Sequence, residues 1–178
     1  PYAPFTTSSL QQDASSRLGM SPNRTMQIAQ RLYEDGIITY MRTDGIDMAP
    51  EAIAAARSAI EKEFGSAYLP STPRVYTNKA KNAQEAHEAI RPTDMFRQPD
   101  SIGDADQKKL YGLIWRRTLG SQMRPAEIDR TSVDIAVVSA GRDITLRAVG
   151  SVVTFAGFLA VYGVAAKEDR DADDDDDE

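Results

Sequence analysis

Apolar residues recur at helical spacing through the first two thirds of this chain, and β-branched runs replace them towards the end. The spacing predicts a first helix to about Leu18, with Thr7 or Ser8 as its cap. Ser8 and Gln11 stand at capping-box spacing, and Gly19 is the stop signal. Ser21-Pro22 opens a second helix that reaches about Glu34 and ends at Gly36. Its expected apolar face is Met26, Ala29, Leu32 and Tyr33. Gln27, Gln30, Arg31 and Glu34 lie off that face, with Gln30 and Glu34 as surface neighbours. Pro50 begins a third, alanine-rich helix to about Glu63, with Ile53, Ala56 and Ile60 as core positions and Gly65 after it. Residues 66–81 read as loop with a short strand over Arg74–Thr77. Asn82 is placed to cap a fourth helix over Ala83–Ile90, closed by Arg91-Pro92. After a loop over 94–103, Asp104 and Gln107 open the longest helix, about 104–122. Leu110, Tyr111, Leu113, Ile114, Trp115 and Leu119 supply its broad apolar face.

Beyond residue 125 the period changes. Thr131–Ser139 and Ile144–Val149 read as strands around a turn at Ala140–Asp143, and Ser151–Phe155 and Phe158–Val161 as further strands. The fold class expected is α+β. A mainly helical domain over 1–125 carries a helix-turn-helix or winged-helix-like unit. A partial antiparallel β domain follows over 126–165, completed by residues 1–8 or by further chain.

Composition adjusts this picture in three places. There are no cysteines and one histidine, so neither a disulfide framework nor a histidine-rich metal site is available. No apolar run approaches the roughly 18 residues that a membrane span needs, and no signal peptide is visible. The opening at Pro1 suggests a piece of a longer protein. The net charge of −6 is uneven: residues 168–178 hold nine acids and one base, leaving 20 basic and 18 acidic residues before them, a net of +2. The tail over 166–178 therefore reads as a self-repelling, solvated segment, and the nearly neutral body is compatible with a nucleic-acid partner.

The candidate chemistry lies over Gly36–Asp44. If Ile37–Met41 is extended, Thr39 and Met41 face one way, and Tyr40 and Arg42 the other. A phenol beside a guanidinium is a minimal kit for attack on a phosphodiester. An ordinary tyrosine, with a pKa of about 10, is roughly one-thousandth ionised at neutral pH, and a nearby cation favours the phenolate. The guanidinium also holds two phosphate oxygens in parallel and offsets charge in the transition state. Spacing alone leaves open a half-buried strand tyrosine beside a surface arginine. His87 stands between acidic residues and lacks the second histidine of a zinc-protease pattern. No phosphate-binding Gly-x-x-x-x-Gly-Lys loop occurs. The helical pair suits a DNA-binding module without catalysis as readily as ordinary packing.

Five phrases occur in order: Pro4–Gln12, Thr25–Glu34, Ile38–Asp44, Gln84–Thr93 and Leu110–Arg117. Together they resemble the bacterial type IA DNA topoisomerases, strongly over about 1–125 and more loosely over 126–165. The resemblance implies that Tyr40 is the nucleophile that cuts one strand and keeps its 5′ phosphate, with Arg42 contacting the scissile phosphate and positioning Tyr40. It implies that His87 touches the DNA backbone or helps place the phosphate, and that Gln30, Glu34, Thr39, Thr43, Asp44 and Arg91 support the site or contact DNA. The β segment would belong to the family's arch. Single-stranded or negatively supercoiled DNA would be the partner, relaxed without ATP. Magnesium would be the cofactor, held by a toprim domain elsewhere in the polypeptide, and a gate domain would complete the DNA channel. No metal is expected on this chain, the piece alone is expected to be inactive, and the location implied is cytoplasmic and nucleoid-associated. Two departures are visible: Gly45 stands where members often have serine, which would loosen the turn, and Ser9 replaces a commoner threonine.

Overall fold

Helix α1 (Thr7–Leu18) starts one residue earlier than the spacing suggests. Thr6 is the cap: its hydroxyl accepts from the Ser9 amide (3.2 Å), and its own amide donates to the Ser9 hydroxyl (2.9 Å). This reciprocal pair displaces the expected Ser8/Gln11 box, because Phe5 is fully buried and fixes where the chain enters the helix. Gly19 takes the left-handed conformation (φ 65°) that ends α1. The computed structural model describes residues 1–76, 87–139 and 142–166. It divides into two compact units, Pro1–Arg124 and Pro125–Glu178.

Within the first unit, α2 (Pro22–Glu34) is capped by Ser21 as its sequence dictates. Its buried face is Thr25, Ile28, Ala29 and Leu32, rotated from the expected one, and Tyr33 is turned outwards. Thr25 tolerates full burial because its hydroxyl donates to the Ser21 carbonyl (3.0 Å). Helix α3 (Pro50–Phe64) buries Ala52, Ala56, Ala59 and Ile60. Those small side chains let it lie close against α4 (Ala105–Gln122), which also packs on α1 and α2 and forms the centre of the unit. Asp104 caps α4 by accepting from the amides of Asp106 and Gln107. Leu110, Tyr111, Ile114 and Leu119 are wholly buried. Each such apolar side chain contributes about 1.5–3 kcal/mol. The polar tips are satisfied as well: the Tyr111 hydroxyl donates to the Arg97 carbonyl and the Trp115 indole to that of Met95.

Arg117 of α4 draws the N-terminal segment inwards. Its guanidinium lies 4.8 and 4.7 Å from the ring centroids of Tyr2 and Phe5, and its Nε donates to the Ala3 carbonyl (2.6 Å). Phe5 thereby meets Ile90, whose amide donates to the Phe5 carbonyl (2.8 Å). Residues 87–90 are consequently extended, not the end of a helix. They bridge Phe5 at Ile90 and Asp47 at Glu88. The rest of the expected fourth helix lies outside the described residues, as does Thr77. Arg74–Tyr76 is irregular where a strand was expected.

The second unit is a long antiparallel ribbon of β1 (Glu127–Ser139) and β2 (Arg142–Phe155). Asp134 opposes Arg147 in its register, and the two form a double ion pair at 2.6 and 2.9 Å. The expected strand at Ser151–Phe155 is the continuation of β2, because Gly150 simply pairs with Thr131 and does not break it. The expected strand at Phe158–Val161 is instead part of a 3-10 helix, Gly157–Tyr162. Gly157 has φ 49° and sits so close to Pro125 that a Cβ would overlap the Pro125 carbonyl oxygen. The turn at 140–141 and the acidic tail lie outside the described residues.

Candidate functional site

Helix α2 ends in a turn that aims the chain at the expected site. Gly36 (φ 69°) reverses direction, and the Ile37 amide returns to the Leu32 carbonyl (2.8 Å). Ile37 and Ile38 are buried, and Ile38 bridges Pro92. From there residues 39–42 alternate. Met41 is 1% exposed and Tyr40 48% exposed, so the phenol faces out while its neighbour anchors the arm. Arg42 is also exposed, and among the described residues no carboxylate pairs with it.

Two adjoining clefts open on this arm. One, of about 250 Å³, is lined by Thr39, Tyr40, Arg42, Thr43, His87 and Glu88. The other, of about 690 Å³, is lined by Thr6, Thr7, Ser8 and Gln11 at the start of α1, together with Arg42, Thr43, Asp44 and His87. Arg42, Thr43 and His87 stand in both. The arrangement sets an exposed phenol, a guanidinium and an imidazole around a space open to solvent. Such a set suits an extended anionic chain that passes through both clefts.

Hydrogen bonds from the Thr39 hydroxyl and the backbone tie the arm to residues 89–93. The Thr39 hydroxyl donates to the Ala89 carbonyl (2.7 Å) and accepts from the Arg91 amide (3.0 Å). The Thr39 amide donates to the Arg91 carbonyl, and the Thr93 amide to that of Ile37. Glu88 completes the brace: its carboxylate receives the Arg91 guanidinium through two bonds of 2.7 and 2.9 Å, and the Ala49 amide at 2.9 Å. Burial works against the Glu88 charge, but the hydrogen bonds from Arg91 and Ala49 and the arginine's charge outweigh it. The pKa is held below the ordinary glutamate range. Gly45 does not loosen this region. The His87 carbonyl oxygen occupies the place that a Cβ at Gly45 would take, so the glycine lets the two segments close together.

The expected site residues thus separate into two groups. Tyr40, Arg42, His87, Thr39, Thr43 and Asp44 gather around the clefts. Gln30, Glu34 and Arg91 line neither cleft. Gln30 donates to Glu34 (2.6 Å) on the exposed side of α2, and Arg91 is committed to Glu88. Three contributors escaped the sequence reading. Tyr33 stands edge-on to Tyr40, with ring centroids 5.2 Å apart; its exposure had been masked by its place in an apolar pattern. Glu88 braces the floor of the cleft. Thr7, read only as a cap, reaches the arm itself, and no local pattern signals a partner more than thirty residues away. Among the described residues no group of three or more His, Asp and Glu side chains is placed to hold a metal ion, and no helix is long and apolar enough to cross a membrane.

Comparison with known proteins assigns this architecture. A family model described as DNA topoisomerase matches residues 1–176. The chain is 52% identical to DNA topoisomerase 1 of Zymomonas mobilis over 174 residues, which is 96% of this chain and 14% of that protein. It is 51% identical to DNA topoisomerase 1 of Streptomyces coelicolor over 179 residues, 99% of this chain and 19% of that protein. Full-length topoisomerase I of Thermotoga maritima superposes with a TM-score of 0.72 at 38% identity, covering 93% of this chain and 27% of that one. The chain therefore spans less than a quarter of the length of either of these curated relatives.

Proposed function

The chain belongs to the bacterial DNA topoisomerase I family, and from that premise we propose that Tyr40 is the nucleophile of a reversible single-strand break. The Tyr40 oxygen attacks a backbone phosphorus, its proton leaves, and the bond from phosphorus to the 3′ oxygen breaks. The 5′ phosphate is then esterified to Tyr40, and the 3′ oxygen takes up a proton. Resealing is the reverse step. The tyrosyl ester conserves the phosphodiester bond energy, so relaxation of negative supercoils proceeds without ATP.

The single observation that carries this reading is the sharing of one open cleft by a half-exposed phenol and a guanidinium that no carboxylate pairs with among the described residues. Arg42 would hold the non-bridging oxygens and stabilise the charge that gathers there. His87, with Thr43 and Asp44 beside it, would guide the neighbouring backbone through the larger cleft. Thr39 and Arg91 would act on the arm's geometry, while Gln30 and Glu34, paired on α2, would support the site from further away. The magnesium that the family resemblance implies would be held by a toprim domain of the full-length protein, with a gate domain closing the channel. The β ribbon would form part of the arch, and the protein would act where the chromosome lies.

Covalent trapping tests the proposal. The full-length protein is mixed with labelled single-stranded DNA and denatured at intervals. An adduct at Tyr40 is expected, and Tyr40→Phe should abolish it while leaving DNA affinity within about twofold. Affinity without any adduct would instead mark a helix-turn-helix binding module, and the enzymatic reading would fall.

A further inference from the structure

Residues 40–43 belong to no strand, yet they carry the phenol and the guanidinium. Among the described residues, every hydrogen bond from these four to another element goes to Thr7. The Thr7 hydroxyl donates to the Met41 carbonyl (2.7 Å), with the Thr43 carbonyl at 3.1 Å, and accepts from the Thr43 amide (2.8 Å). The Thr7 amide donates to the Thr43 carbonyl (2.9 Å). These bonds bracket Arg42 on both sides.

Thr7 is itself held still. It is the first residue of α1, between Thr6 and Ser9, which form the capping pair. A helix's first amides have no partner within the helix. Here one of them is used to fix the arm, so the helix start and the arm satisfy each other. Thr39 pins the other side of Tyr40 to residues 89–91. Tyr40 and Arg42 are thus suspended between two threonine hydroxyls, and their side chains stay free for the cleft.

We propose that Thr7 is a positioning residue for strand cleavage, setting the backbone at Arg42 so that the guanidinium and the Tyr40 oxygen address the same phosphate. This rests on the reading of Tyr40 and Arg42 given above. A hydroxyl is required because one atom must donate to residue 41 and accept from residue 43. Valine has the same shape and does neither.

The test uses the full-length protein and single-turnover cleavage of a single-stranded oligonucleotide at saturating DNA. Thr7→Val is expected to lower the cleavage rate about ten- to a hundredfold, as small misplacements of reacting groups do. The dissociation constant for the strand should change by less than about twofold. Thr7→Ser should recover the rate to within about threefold of the unaltered protein. Should Thr7→Val not fold, Thr7→Ala is held to the same criterion. An unchanged rate in the hydroxyl-free variant overturns the proposal. So does a loss seen only in affinity, or a Thr7→Ser variant as slow as Thr7→Val. An adduct that persists in Tyr40→Phe overturns the underlying assignment of the nucleophile instead, whatever Thr7 does.

Discussion

Thr39 offers the most direct measurement of how firmly the arm is held. Its hydroxyl has two partners on one segment, the Ala89 carbonyl and the Arg91 amide, and its own amide has a third. Thr39→Val keeps the volume and leaves the Ala89 carbonyl and the Arg91 amide without that partner. Unsatisfied groups of this kind cost about 1–3 kcal/mol. A fall in stability of that size is expected in urea unfolding of the first unit, and Thr39→Ser should recover most of it. An unfolding midpoint that does not move would mean that burial of Ile38 and Met41 and the bonds to Thr7 hold the arm without the Thr39 hydroxyl. At this scale the sequence was informative about Tyr40 and Arg42, because alternation in an extended run is a local property. It was silent about Thr7, Tyr33 and Glu88, whose partners are defined by tertiary approach. It also misjudged Gly45, since an absent Cβ reads as slack until the His87 carbonyl is found lying against it.

Among the elements, residues 87–91 most affect how the site responds to conditions. Local spacing reads them as the end of a helix. Pairing with Phe5 and Asp47, 85 and 41 residues away at Ile90 and Glu88, makes them extended instead, an override that no short window contains. The starts of α2, α3 and α4 were legible because Ser21-Pro22, Pro50 and Asp104 act within a single turn. The clamp from Glu88 to Arg91 and Ala49 has a pH signature. The folded pKa of Glu88 is below its unfolded value, so its stabilisation is fully present above the ordinary glutamate range, near pH 4.3. It is lost as the pH falls through the lower folded value. Unfolding of the unaltered protein should therefore steepen in its dependence on pH below about 4.3. Glu88→Gln should be less stable at neutral pH and show a shallower dependence. Equal slopes for the two would remove Glu88 as the titrating group.

For the whole molecule, charge and coverage decide what the chain does by itself. Strand passage requires that both ends of a broken strand be held. On the proposed mechanism the arm would account for the end esterified to Tyr40, and the chain spans 14% and 19% of the two curated relatives compared above. Residues 1–178 alone, supplied with magnesium, should therefore leave a supercoiled plasmid unrelaxed under conditions where the full-length protein relaxes it; relaxation by the shorter chain would show that the second grip lies within it. Affinity for a single strand should also be only weakly electrostatic on this surface. Residues 1–167 have a net charge of +2, and Arg42 is the arginine that stands in both clefts. Each phosphate neutralised on a single strand contributes about −0.7 to the slope of log affinity against log salt. In the full-length protein, Arg42→Ala should make that slope shallower by about 0.7, the signature of one phosphate contact. A slope left unchanged while cleavage is lost would mean that Arg42 meets the phosphate only in the transition state, and that the resting strand is held elsewhere.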